Sequence, residues 1–161
     1  MIMKYNKFTF FYGGPFSNWY PSPFTDVNGI TYNCSEQYMM YHKAKMFKNA
    51  EIANAIMNAV HPADQKALGK LVKGFDRDYW QIFAKTIVLA GCFYKFTQND
   101  YCNEALRVTD GTLLVEASPT DVIWGIGMAE NNPDRFDPAN WKGTNWLGEV
   151  LTTLRENLFY K

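Results

Sequence analysis

The stretch Asn33-Cys34-Ser35-Glu36-Gln37-Tyr38-Met39-Met40-Tyr41-His42-Lys43-Ala44-Lys45-Met46-Phe47 decides how this chain folds. Projected at about 100° per residue, Met39, Met40, Met46 and Phe47 fall within one stripe about 120° wide, which predicts an amphipathic helix from about Ser35 to Phe47. Glu36 and Lys43 stand at the centre of that stripe. Charged side chains are rarely buried without a partner. A helix that turns both of them toward its own core is either making a buried ion pair or lining a pocket.

Each residue has a plain structural reading beside the chemical one. Asn33 followed three residues later by Glu36 matches a capping box, in which the glutamate bonds back to the backbone of the cap. The stem of Lys43 can snorkel, but the apolar stripe extends on both sides of it. A lysine held among apolar groups has a lowered pKa and supplies neutral amine as a nucleophile or base. Seven residues separate the pair by about 10 Å along the axis at 1.5 Å per residue. Adjacent-turn spacing is the usual one for a helical ion pair, so a ligand shared between the two fits the spacing better.

Composition sets the frame. The chain has 161 residues, 47% hydrophobic and 20% charged, which fits one globular domain over 1–161 with no repeat or linker. Aromatics reach 17%, enough for a ring-rich core and for stacking on a planar ligand. Sixteen basic residues balance 16 acidic ones, so a general basic excess for nucleic acid is absent and only a local patch is left open. Cys34, Cys92 and Cys102 lack paired spacing and read as reduced, buried thiols. With no signal-peptide run at the start and no stretch of 18 apolar residues, a cytoplasmic protein away from membranes is expected. No obligate protein partner is evident. His42 and His61 lack metal-ligand spacing, and no phosphate-binding glycine loop or serine elbow occurs, so no metal and no cofactor is expected.

Working outward, Phe8 to Tyr12 reads as a short strand, and Asn28-Gly29 as a hairpin turn after Phe24. Helices follow over about Ala50–Ala59, Pro62–Leu71, Asp78–Phe96 and Tyr101–Val108. Thr112 to Ala117 is the best strand of the second half, and a helix over about Leu147–Phe159 closes the chain. The fold class is mainly α with a small β element.

A second cluster runs Leu114-Val115-Glu116-Ala117-Ser118-Pro119-Thr120-Asp121-Val122-Ile123-Trp124-Gly125-Ile126-Gly127. Two acids and a tryptophan within nine residues suit a pocket for sugar and base, with carboxylates at hydroxyls and a developing cation. Asp121 equally suits a turn cap. Asn18, Trp19 and Tyr20 lie on a proline-rich loop that either presents or packs them. Trp80 has core periodicity. Asn145 reads as the N-cap of the last helix, whose start also offers N–H groups to a phosphate.

These stretches, with Asp78-Tyr79-Trp80, Lys95-Phe96-Thr97-Gln98-Asn99 and Asn145-Trp146-Leu147-Gly148, resemble the NADAR (YbiA-like) family in the family's order. The resemblance implies a compact helical fold and N-glycosidase chemistry without a cofactor. Substrates attributed to the family are riboflavin-pathway intermediates bearing ribose 5-phosphate and ADP-ribose attached to guanine, free or in DNA. It implies Glu36, Lys43 and Asp121 as catalytic residues. Asn18, Tyr20, Trp80, Glu116, Ser118, Trp124, Asn145 and Gly148 are the expected substrate-binding positions. Trp19 and Trp146 stand where other aromatic or small residues are common in the family. Two mechanisms suit the pattern: Lys43 traps the opened sugar as a Schiff base, or Glu36 and Asp121 lead an ordinary hydrolysis. The rival class is a non-catalytic module that binds ADP-ribose or a nucleotide by stacking.

Overall fold

Helices dominate the computed structural model, which describes residues 4–160, and they follow the expected order. Strand β1 is Phe8–Phe11, and a short hairpin joins β2 (Phe24–Thr25) to β3 (Thr31–Tyr32). Then come α1 (Ser35–Met46), α2 (Ala50–Asn58), α3 (Pro62–Gly69), α4 (Arg77–Gln98) and α5 (Asp100–Arg107). Strand β4 (Leu113–Glu116) and α6 (Trp146–Phe159) complete it. Among the described residues no helix is long and apolar enough to cross a membrane. The small β element is two separate pairs: β1 runs parallel to β4, with Phe8 opposite Leu113 and Phe11 opposite Glu116, while β2 and β3 are antiparallel.

The chain forms two compact units. The first joins residues 4–17 to 100–160, and the second spans 18–99. In the first, Leu113, Val115, Ile126 and Met128 form a core flanked by Phe8, Phe10 and Trp141, with α6 packed on β4. Parallel strands need a long crossover, here the 101 residues between Phe11 and Leu113, so no local signal announces the pairing.

In the second unit α1 packs on α2, α3 and α4. Phe24, Tyr32 and Tyr38 form its aromatic core. Gly91 on α4 permits the close approach of α1, since a Cβ there would lie 2.6 Å from the Tyr38 ring. The hairpin turn is longer than Asn28-Gly29 alone implies. Asp26 Oδ1 accepts the N–H groups of Asn28 and Ile30 at 2.9 and 3.0 Å and organises residues 26–30. Helix α4 is capped by Asp76, whose Oδ1 accepts the Tyr79 N–H at 3.0 Å.

The start of α1 departs from the capping-box expectation. Cys34, not Asn33, is the cap residue, and no side chain caps it. The Asn33 N–H donates to Gln37 Oε1 at 2.7 Å, so the back-bond comes from the residue after Glu36. Gln37 Nε2 in turn donates to the Ile56 carbonyl, and Gln65 Nε2 donates to Asn33 Oδ1, tying α1 to α2 and α3. The bond to the Asn33 N–H that a capping box would assign to Glu36 is thus made by Gln37.

His42 lies against the Tyr38 ring (centroids 4.2 Å apart) and near Tyr32 and Tyr41, with Nε2 buried and without a hydrogen-bond partner among the described residues. Burial lowers its pKa below 6.5, against a smaller opposing pull from Asp26. A lowered folded pKa means the unfolded chain takes the proton first. Stability is therefore expected to be full above about pH 6.5 and to fall below it, by up to about 1.4 kcal/mol per pH unit. Thermal melts from pH 7.5 to 5 measure this, and His42→Phe should flatten that part of the curve.

Candidate active site

The second unit carries both charged residues singled out on α1, Glu36 and Lys43. Glu36 is 4% exposed, on the first turn of α1, and its N–H donates to the Asn18 carbonyl at 2.8 Å. That bond fixes the 18–20 loop at the helix start. Asn18 is itself buried, and its side-chain Oδ1 has no hydrogen-bond partner among the described residues.

Two turns along α1, Lys43 is half-buried, with Nζ 4.2 Å from the centroid of the Phe75 ring. Loss of water around the amine lowers its pKa from 10.5; the Glu36 charge opposes that shift and Lys70 reinforces it. An ammonium over a ring face gains a cation–π attraction, yet burial prevails and favours the neutral amine. Trp80 is buried in the core, as its helical spacing predicts.

The second unit also buries a lysine to which the sequence pattern alone assigned no role. Lys95 on α4 is 1% exposed, with Nζ 5.7 Å from the centroid of the Tyr20 ring. The Cys34 thiol feels both the Glu36 and the Lys95 charge, which places all three close together. Burial pushes the Cys34 thiol pKa up and that of Cys92 to about 11, which favours the protonated thiol at both. The signal that singles out Lys43 also singles out Lys95. It continues the buried stripe of Trp80, Ala84, Val88 and Gly91 at helical spacing.

The first unit holds the second cluster. Asp121 Oδ1 accepts the N–H groups of Ile123 and Trp124 at 2.9 and 2.8 Å, the turn-capping geometry that its loop position allowed. Ser118 Oγ accepts the Asp121 N–H at 3.0 Å and holds that turn to the end of β4. Trp124 meets Trp146 edge to face at 5.6 Å. Glu116 ends β4, and its N–H donates to Asn145 Oδ1 at 3.0 Å.

Two expectations change here. Asn145 occupies the cap position of α6, but its backbone is left-handed (φ 54°) and its side chain does not cap. Instead its amide bridges β4, accepting from the Glu116 N–H and donating to the Leu114 carbonyl. Nor are the first N–H groups of α6 available to a phosphate, since Trp146 and Leu147 donate to Ile123 and Trp124. Gly148 lets α6 press against β4, where a Cβ would collide with the Leu114 carbonyl. Both residues position β4. Among the described residues, no three His, Cys, Asp or Glu side chains are placed to hold a metal ion.

The chain is 39% identical over 159 residues to Protein irg-1 of Caenorhabditis elegans, covering 89% of this chain and 75% of that one. It is 36% identical over 166 residues to an N-glycosidase of Acanthamoeba polyphaga mimivirus, covering 96% and 98%. The NMR structure of the E. coli protein YbiA superposes with a TM-score of 0.77 at 26% identity, covering 96% of this chain and 86% of that one. The NADAR domain model matches residues 9–159, and the chain belongs to the NADAR family.

Proposed function

We propose that the chain is an N-glycosidase that hydrolyses a bond between ribose C1′ and a heterocycle nitrogen. The observation that carries this reading is the half-buried Lys43 amine, held over the Phe75 ring two turns along α1 from the buried Glu36. The relatives' name supports it. Substrates are of two kinds: ribosylated riboflavin-pathway intermediates, or ADP-ribose on guanine.

In the proposed path the C1′–N bond breaks with its electron pair moving to the heterocycle, which takes up a proton. The neutral Lys43 amine adds to C1′, and ring opening gives a Schiff base. Water then adds at C1′, the amine leaves, and the released ribose 5-phosphate or ADP-ribose closes its ring; the net reaction consumes one water. Glu36 moves the protons on and off the amine. The Asn18 amide oxygen accepts a hydrogen bond from a substrate donor, the role that its unpartnered burial supports. Incubation with ribosylated pyrimidine, NAD-like and ADP-ribosyl-guanine substrates, read by mass spectrometry for the released base and sugar, tests the reading. Binding without product in every arm would leave a nucleotide-binding module instead.

Asp121 is proposed as the second carboxylate, with Oδ1 held by the turn and Oδ2 exchanging a proton with water or the leaving nitrogen. Asp121→Asn keeps the turn acceptor, so the expected result is an unchanged melting temperature with kcat lower by about a hundredfold.

A further inference from the structure

A second surface feature lies on the second unit. Phe47, Phe75, Tyr79 and Phe83 form a continuous row: Phe47–Phe75 centroids are 5.3 Å apart, Phe47–Tyr79 6.1 Å and Tyr79–Phe83 5.2 Å. Unlike the buried cluster around Tyr32, this row is open, with Phe75, Tyr79 and Phe83 exposed by 41, 48 and 39%. A contiguous aromatic patch left in water calls for a partner. Its surroundings are basic: segments 43–48 and 70–83 carry six Lys and Arg against two Asp and Glu, in a chain of zero net charge. One of those two acids, Asp76, is engaged as the cap of α4.

The lysines border the row rather than merely share its sequence. Lys43 lies over Phe75 and feels the Lys70 charge. Asn49 Nδ2 donates to the Phe47 and Lys73 carbonyls, which sets the Lys73 loop beside Phe47. Rings that offer faces or edges, interleaved with amines, match a polymer of flat bases joined by phosphates. An acidic protein would satisfy the amines and leave the rings poorly matched. An anionic bilayer would take both, but the rings meet edge to face across the end of α1, the segment before α4 and α4 itself, rather than along one amphipathic helix.

We propose that this row is a docking surface for single-stranded nucleic acid, with bases stacked on Tyr79 and Phe83 and phosphates met by Lys70 and Lys73. Lys43 belongs both to this surface and to the proposed site, so the proposal rests on the N-glycosidase reading and extends it to a base-bearing strand; it is tested by binding alone, without turnover, so that either can fail without the other.

Fluorescence anisotropy of a labelled oligodeoxythymidylate about 20 nucleotides long, titrated with the full chain, should show saturable binding that weakens with salt. Tyr79→Ala and Phe83→Ala should each weaken it about tenfold, and Tyr79→Trp should retain it. Lys73→Ala should reduce the slope of log affinity against log salt by about 0.7. Both ring positions are exposed, and melts check that the variants fold. Where an alanine variant unfolds, Lys70→Glu with Lys73→Glu decides, with binding expected to disappear. The proposal is overturned by absence of binding, by unchanged binding in the double alanine variant, or by equal affinity for duplex. Binding to phosphatidylserine vesicles with none to the strand would overturn it in favour of a membrane surface.

Discussion

Replacing Lys43 by alanine is expected to lower kcat/KM for ribose–nitrogen cleavage roughly ten-thousandfold, because the covalent path loses its nucleophile. The fold should barely notice. The side chain is half-buried, and its ring contact with Phe75 is of a kind worth about 0.5–1 kcal/mol at an exposed site. Lys43→Arg separates amine chemistry from charge: it keeps the cation but cannot lose its proton, so it should be as inactive as alanine. The pH profile carries the sign. Burial disfavours the ammonium and holds Lys43 below 10.5, so kcat/KM should rise with pH through that lowered value and then level off. Borohydride added during turnover should fix a sugar adduct to Lys43, located by peptide mass mapping. An adduct on Lys95 would transfer the nucleophile's role to α4. Full turnover by Lys43→Ala would favour hydrolysis led by Glu36 and Asp121.

The helices were legible because apolar spacing at 3.6 residues reports burial directly: each boundary lies within two residues of its expected place. Local chemistry was legible only where it stayed local. Asp121 capping its own turn is an example. Asn33 and Glu36 have the spacing of a capping box, yet Gln37 makes the bond, because its amide also reaches α2 and a carboxylate would have nothing to donate there. Asn145 likewise carries a cap's identity, but its amide serves a strand about 30 residues earlier, where backbone groups of Leu114 and Glu116 need partners. Lys95 was within reach of the argument applied to Lys43 and differs only in being fully enclosed. The open aromatic row was hidden for another reason: composition and periodicity count rings without showing which stay in water, and a balanced total charge conceals a basic segment.

Glu36→Gln should separate two effects that a structural role would leave joined. The substitution keeps volume and removes charge, so the buried start of α1 and its bond to the Asn18 carbonyl remain. With no carboxylate to carry protons, kcat should fall about a hundredfold to a thousandfold. At the same time the rising limb of the pH profile should move to lower pH. The Glu36 charge raises the Lys43 pKa against the effect of burial; without it, desolvation and Lys70 both favour the neutral amine. A slower enzyme whose amine titrates at lower pH is thus the expected signature, read from kcat/KM between pH 6 and 10 alongside a melting curve. A carboxylate that only braced the helix would give a lower melting temperature and an unmoved profile. A carboxylate that was itself the nucleophile would give complete loss of turnover, with no borohydride adduct on Lys43 in the parent enzyme. The pH shift separates the first two, because it depends on the Glu36 charge acting at Lys43 and not on how tightly the helix is packed, and the borohydride adduct separates the third.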